Sequence, residues 1–169
     1  FVNMVRHIEL NDVHFTYEDL PLDNEKEEID FSDLDCRNLY LSVDSLTIVK
    51  EVFHMEVKHA TLTEKSGFYV RDLSTSLSIS PEFVDMKRMH LQTLRSDVTG
   101  DFSFLTKDYD DYSDFEEKVR LSGNFSPSRL WLADLTPFAT ELKGMNRSIG
   151  FSGRVWGTES NLKGKNPVI

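Results

Sequence analysis

Between Asn38 and Leu62 apolar residues fall on alternate positions, at Leu39, Leu41 and Val43, then at Leu46 and Ile48, then at Phe53, Met55 and Val57, with Ser, Asp, Glu and Lys between them. A period of two is the signature of a strand with one apolar and one polar face. The same alternation recurs at Ile8 and Leu10, at Val13, Phe15 and Tyr17, at Phe68 and Val70, and at Leu77 and Ile79. It continues through Met89 and Leu91, Phe102 and Phe104, Val119 and Leu121, and Ile149 and Phe151. Parity slips between Leu10 and Val13, from Lys58 to Leu62, and between Met86 and Met89. In a sheet such a slip is a tight turn or a bulge that bends the strand. The pattern therefore predicts a mainly β chain, a curved antiparallel sheet that meanders with a strand and turn rhythm of roughly 8 to 14 residues.

Helical signals are sparse. The segment Asp134 to Gly144 predicts one short helix, with Thr136 as its cap, Pro137 at the first helical position and Gly144 at a left-handed terminus. Two acidic stretches, Glu18 to Glu28 and Lys107 to Lys118, interrupt the alternation and read as solvated loops. Neither has the character of a domain linker, so residues 1–169 read as a single β-rich segment. A sheet with one apolar face must bury it, and one short helix is too little to cover it. Either the sheet folds over on itself or a ligand lies against it.

Composition narrows the partners. The chain carries 19 basic and 29 acidic residues, a formal charge of −10, which repels phosphate backbones and argues against nucleic acid. Cys36 is the only cysteine, so an internal disulfide is impossible. No run approaches the roughly 18 apolar residues of a membrane helix. The chain opens on Phe1 without a signal-peptide pattern and reads as an internal piece of a longer protein.

Candidate chemistry is thin. Glycine-rich phosphate loops, a nucleophile elbow, paired CxxC motifs and an EF-hand loop are all missing. His54, Glu56 and His59 come closest to a metal cluster, but five residues along a regular strand put the two imidazoles on opposite faces. The carboxylates of Asp108 to Glu117 read as a solvated turn rather than a calcium site, and the sequons at Asn124 and Asn146 are short enough to arise by chance. Met55, Met86 and Met89 read as ordinary packing residues. With no convergent nucleophile, base and charge stabiliser, an enzyme is not expected, and no metal or cofactor is called for.

Three stretches carry a family resemblance: Ala60 to Ser80, with a tight turn at Lys65-Ser66-Gly67; Met89 to Phe104; and Leu132 to Gly164. The most specific elements are Glu64-Lys65-Ser66-Gly67-Phe68, the Thr93 to Ser96 spacing, Asp134-Leu135 with Phe138, and Ser152-Gly153. Together they resemble the TamB proteins of Bacteroidetes-type bacteria, within the AsmA-like superfamily. The resemblance implies an inner-membrane-anchored envelope protein with a long periplasmic β-structure shaped like a taco. Its apolar inside would move phospholipid between the membranes and aid outer-membrane protein assembly and secretion. This chain would be part of the long middle, flanked by neighbouring segments of the same parent chain. Contact with an outer-membrane barrel partner would belong to a C-terminal domain not found here.

On that reading the groove candidates are Leu39, Leu41, Val43, Leu46, Ile48, Met55, Val57, Leu77, Ile79, Met89 and Leu91, with lipid acyl chains as the partner. An acyl chain gains roughly 0.8 kcal/mol for each methylene removed from water. The alternative is a closed β-sandwich, an extracytoplasmic binding or adhesion module whose alternating residues form a dry core. A transmembrane barrel fits less well, since its strands run about 9 to 11 residues with less broken apolar bands.

Overall fold

The computed structural model describes residues 3–18, 29–30 and 33–165. These residues build one ten-stranded antiparallel sheet. Its strands are β1 (Asn3–Glu18), β2 (Asp33–Val49), β3 (Val52–Glu64), β4 (Tyr69–Val70), β5 (Asp72–Ser80), β6 (Phe83–Gln92), β7 (Asp97–Leu105), β8 (Arg120–Trp131), β9 (Ser148–Thr158) and β10 (Asn161–Lys165). Neighbours in the chain are neighbours in the sheet throughout, apart from the short β4, which pairs only with β3. The meander expected from the alternation is thus the observed topology. The sheet is curled and stays open, because β1 and β10 remain at its two edges. The closed-sandwich alternative does not describe these residues.

Bulges bend the long strands where the sequence parity slips. Pairing of β1 with β2 shifts between Leu10 and Val13, that of β2 with β3 between Ser42 and Val43, where the partner skips Lys58, and that of β6 with β7 between Met86 and Met89. Asp12, Asn38, Ser45 and Arg88 hold positive φ angles at or beside such shifts, the backbone signature of an extra residue inserted into a ladder. Each insertion resets which residues face inward, so the apolar set stays on one side of the sheet despite the broken period.

Two expectations are corrected here. Asp134 to Gly144 forms no α-helix; it contains 3-10 turns at Leu132–Leu135 and Thr140–Leu142. The physical reason is that Asp134, expected at the helix start, spends its carboxylate on another turn, while Thr136 Oγ1 donates to Ala133 O at 2.9 Å. Gly144 does take the left-handed conformation, at φ +82°. The acidic stretch Lys107 to Lys118 is also more ordered than a solvated loop. It forms a 3-10 turn at Tyr109–Asp114 and a single helical turn at Phe115–Lys118, with Asp111 only 8% exposed and accepting from the Lys107 amide at 2.7 Å. Of the other acidic stretch, Glu18 closes β1 and residues 19–28 lie outside the described residues.

Candidate functional site

Cross-strand register places all eleven groove candidates on the same face. Ile48 stands opposite Phe53, Phe53 opposite Ile79, Ile79 opposite Val84, and Val84 opposite Phe104. The row continues through Leu121 and Gly157 to Leu162 on the far edge. Beside it runs a second row, Met55, Leu77, Met86, Phe102, Gly123 and Val155. Leu41 faces Leu10 and Ala60, Val43 faces Ile8 and Val57, Leu39 faces Val13, and Leu46 faces Val5. Leu91 lies between Leu73 and Val98, and Met89 opposite Gly100. Directly opposed residues share a face, so these rows form a continuous apolar surface from one sheet edge to the other.

Packing on that surface is uneven. Val43, Val57 and Ala60 are buried, with Leu41, Leu46, Met55, Leu73 and Leu77 packed partly against them. Leu39, Ile48, Ile79 and Leu91 are also half-buried, and Phe53 is 38% exposed. No second sheet lies over this face among the described residues, so the curl and, over Phe104, the single helical turn at Phe115–Lys118 shield it.

An aromatic group extends the surface over β7 to β9, and the groove candidates read from the sequence did not include it. Phe102 meets Phe104 edge-on at 5.1 Å between ring centroids, Phe125 lies 6.0 Å from Phe102, and Phe151 lies 5.2 Å from Phe125. Gly123 makes room for them, since a Cβ there would sit 2.4 Å from the Phe125 ring. The helical turn of the β7–β8 connection brings Phe115 against Phe104 at 5.6 Å. The alternation of Phe102 and Phe104 was the available signal.

One end of the sheet is crossed by the connection from β8 to β9, residues 132–147. Asp134 Oδ2 accepts from the Thr93 hydroxyl, from the Arg95 and Ser96 amides at 3.0 and 2.9 Å, and from Ser96 Oγ at 2.8 Å. Phe138 packs edge-on against Phe68 at 4.9 Å, and Pro137 O accepts from the Ile29 amide at 2.6 Å. Phe68 follows the tight turn in which Gly67, at φ +95°, donates to Glu64 O at 2.9 Å. Glu64 itself is 2% exposed, and its carboxylate accepts from the Ser66 amide at 2.7 Å and from the Asp35 amide at 3.3 Å. The residues that carried the family resemblance, from Glu64 to Phe68, from Thr93 to Ser96, and Asp134 with Phe138, are thus neighbours in space. Ser152 and Gly153 lie apart from them on β9.

The opposite face is polar, and its histidines find separate partners. His54 and His59 share this face after all, because the skipped Lys58 restores the parity that five residues would otherwise invert. His54 Nδ1 lies 2.8 Å from Ser78 Oγ, whereas His59 Nδ1 lies 2.5 Å from Asp72 Oδ1. Glu56 turns to Ser76 and to the Arg88 guanidinium, 3.2 Å away. Among the described residues no three potential ligands converge. Asp97 is held below the usual carboxylate range by the Gln92 side chain and by His90, both at 2.9 Å, which outweigh its partial burial. No helix among the described residues is long and apolar enough to cross a membrane.

The geometry defines a class: an open, curled antiparallel meander with an apolar inside, a hydrogen-bonded polar outside and one crossed end. No protein-family model matches the chain, and neither a curated protein nor a solved structure matches it.

Proposed function

We propose that this chain is a non-enzymatic segment of a TamB-like envelope-biogenesis protein, anchored in the inner membrane and spanning the periplasm. Its apolar inside carries phospholipid acyl chains between the inner and outer membranes and aids outer-membrane protein assembly and secretion. The observation that carries the reading is the set of apolar rows crossing the sheet from β2 to β10, over which no second sheet lies among the described residues. In water that surface is costly, at about 25 cal/mol for each Å² left exposed. An acyl chain laid across it removes the cost without any catalytic group. The −10 charge keeps the polar outside soluble and is unfavourable for anionic partners other than those held by their tails. Contact with a barrel partner is assigned to no residue of this chain.

Native mass spectrometry of the chain purified from a phospholipid-containing lysate without detergent tests the reading. Phospholipid adducts released by activation in the gas phase are the expected result. A chain that emerges only as bare polypeptide, with the same β spectrum, would contradict it.

A further inference from the structure

The formal charge of −10 averages two unlike parts of the chain. Residues 1–119 carry 12 Lys and Arg against 26 Asp and Glu, whereas residues 120–169 carry 7 against 3. The basic excess gathers on the polar face of the last three strands, none of which contains an Asp or Glu. Asn124 of β8 stands opposite Arg154 of β9, and Arg154 opposite Lys165 of β10. In the next row Ser122 stands opposite Trp156, and Trp156 opposite Lys163. Arg120, two positions before Ser122 on β8, shares the face. Arg120, Arg154, Lys163 and Lys165 are exposed and enter no ion pair among the described residues. Arg37, Lys65, Lys87, Arg88 and Lys118, by contrast, each pair with a carboxylate. Arg129 is not one of the set, since Asp97 stands directly opposite it. Trp156, 43% exposed, sits among the free cations.

We infer that the polar face of β8 to β10 is a docking surface for an anionic phospholipid bilayer, with these four cations against lipid phosphates and Trp156 at the level of the headgroups. Unpaired cations suit that partner because no carboxylate has to be released first. An indole, apolar in body and polar at one edge, favours the same depth. Acid elsewhere does not cancel the attraction. The nearest carboxylates on this face belong to β7, where Asp97 is engaged by His90 and Gln92, and Asp101 accepts from the Arg88 amide at 2.8 Å. The acidic strands lie further off: β3 is five strand spacings from β9, about 24 Å, against a screening length of about 8 Å at physiological salt. The outside of the curl is convex, so a flat bilayer meets one patch while the acidic strands curve away. A strand paired to β10 would extend the sheet in its own plane and leave these side chains in place. The inference uses the face opposite the groove and does not rest on acyl chains bound inside it.

Vesicle co-sedimentation of the 169-residue chain measures it. Vesicles of phosphatidylcholine and phosphatidylglycerol in equal parts are expected to bind the chain at least about tenfold more strongly than phosphatidylcholine alone, at roughly a fivefold gain for each basic residue near the surface. The difference should vanish in roughly 0.5 M salt, where the screening length falls to a few ångströms. Arg154→Glu with Lys163→Glu should weaken binding to the anionic vesicles at least about tenfold, with an unchanged β circular dichroism spectrum. Lys58→Glu with Arg71→Glu makes the same change in net charge at exposed positions of the acidic part, and should leave binding within about twofold of the wild type. An equal loss in both double variants would mean that net charge alone governs. Equal binding to the two kinds of vesicle would place the contact on the apolar face, and binding to neither would leave the patch to an acidic protein. Each of these results would overturn the inference.

Discussion

Asp134 shows how much a single carboxylate oxygen can organise. Burial alone would raise its pKa, but hydrogen bonds from Thr93 and Ser96 and from the Arg95 and Ser96 amides together outweigh that and lower it. A carboxyl that titrates lower when folded stabilises the fold fully above its unfolded value, near 3.9, and loses that contribution as pH falls through the folded value. Asp134→Ala is expected to lower stability by about 2 kcal/mol at neutral pH, the range for hydrogen bonds to a charged group. A urea midpoint checks this, and below about pH 4 the gap to the wild type should narrow. An unchanged midpoint would mean that the crossing segment is held by Phe138 and Pro137 alone. The sequence places Asp134 at the start of an expected short helix. Its partner lies about forty positions away, and no local pattern announces a bond of that span.

Strands were legible because their signal is local. Alternation named nearly every one of them, and each parity slip marked a real shift of register. The crossing segment was not legible, since Thr136, Pro137 and Gly144 are good helix punctuation and only tertiary bonds draw the chain into 3-10 turns. His59 was misread for a related reason: strict period-two counting across Lys58 ignores the extra residue that the bulge absorbs. One element retains removable strain. Val49 and Val52 pair across a two-residue turn whose central residues, Lys50 and Glu51, sit at φ +48° and +65°. Both angles suit a type I′ hairpin, which favours Asn-Gly. Lys50→Asn with Glu51→Gly should raise stability by roughly 1 kcal/mol, read as a higher thermal midpoint. A lower midpoint would show that the turn depends on those side chains.

At the scale of the whole molecule, the sheet is wide, curled and open, and its inside is greasier than its outside. The eleven groove candidates were legible because alternation names a face; Phe102, Phe125 and Phe151 joined them only when register aligned β6 to β9. Openness has a mechanical consequence. Ile79 is half-buried between Phe53 and Val84, so an Asp at that position can reach water along the open side. Ile79→Asp is expected to cost less than about 2 kcal/mol in a urea titration, whereas an unpaired charge in a dry core costs several. Outright unfolding would indicate a closed interior.

Site-specific photo-crosslinking distinguishes lipid contact at the inner face of the sheet from contact at the outer face. A benzophenone side chain at Phe102 points into the apolar rows, and one at Trp156 stands on the polar face opposite Ser122 and Lys163. With each variant illuminated in the presence of phosphatidylethanolamine vesicles, mass spectrometry should find phospholipid adducts at position 102 and none at 156. Adducts at neither position, or equally at both, would contradict an acyl chain lying along the inside of the sheet.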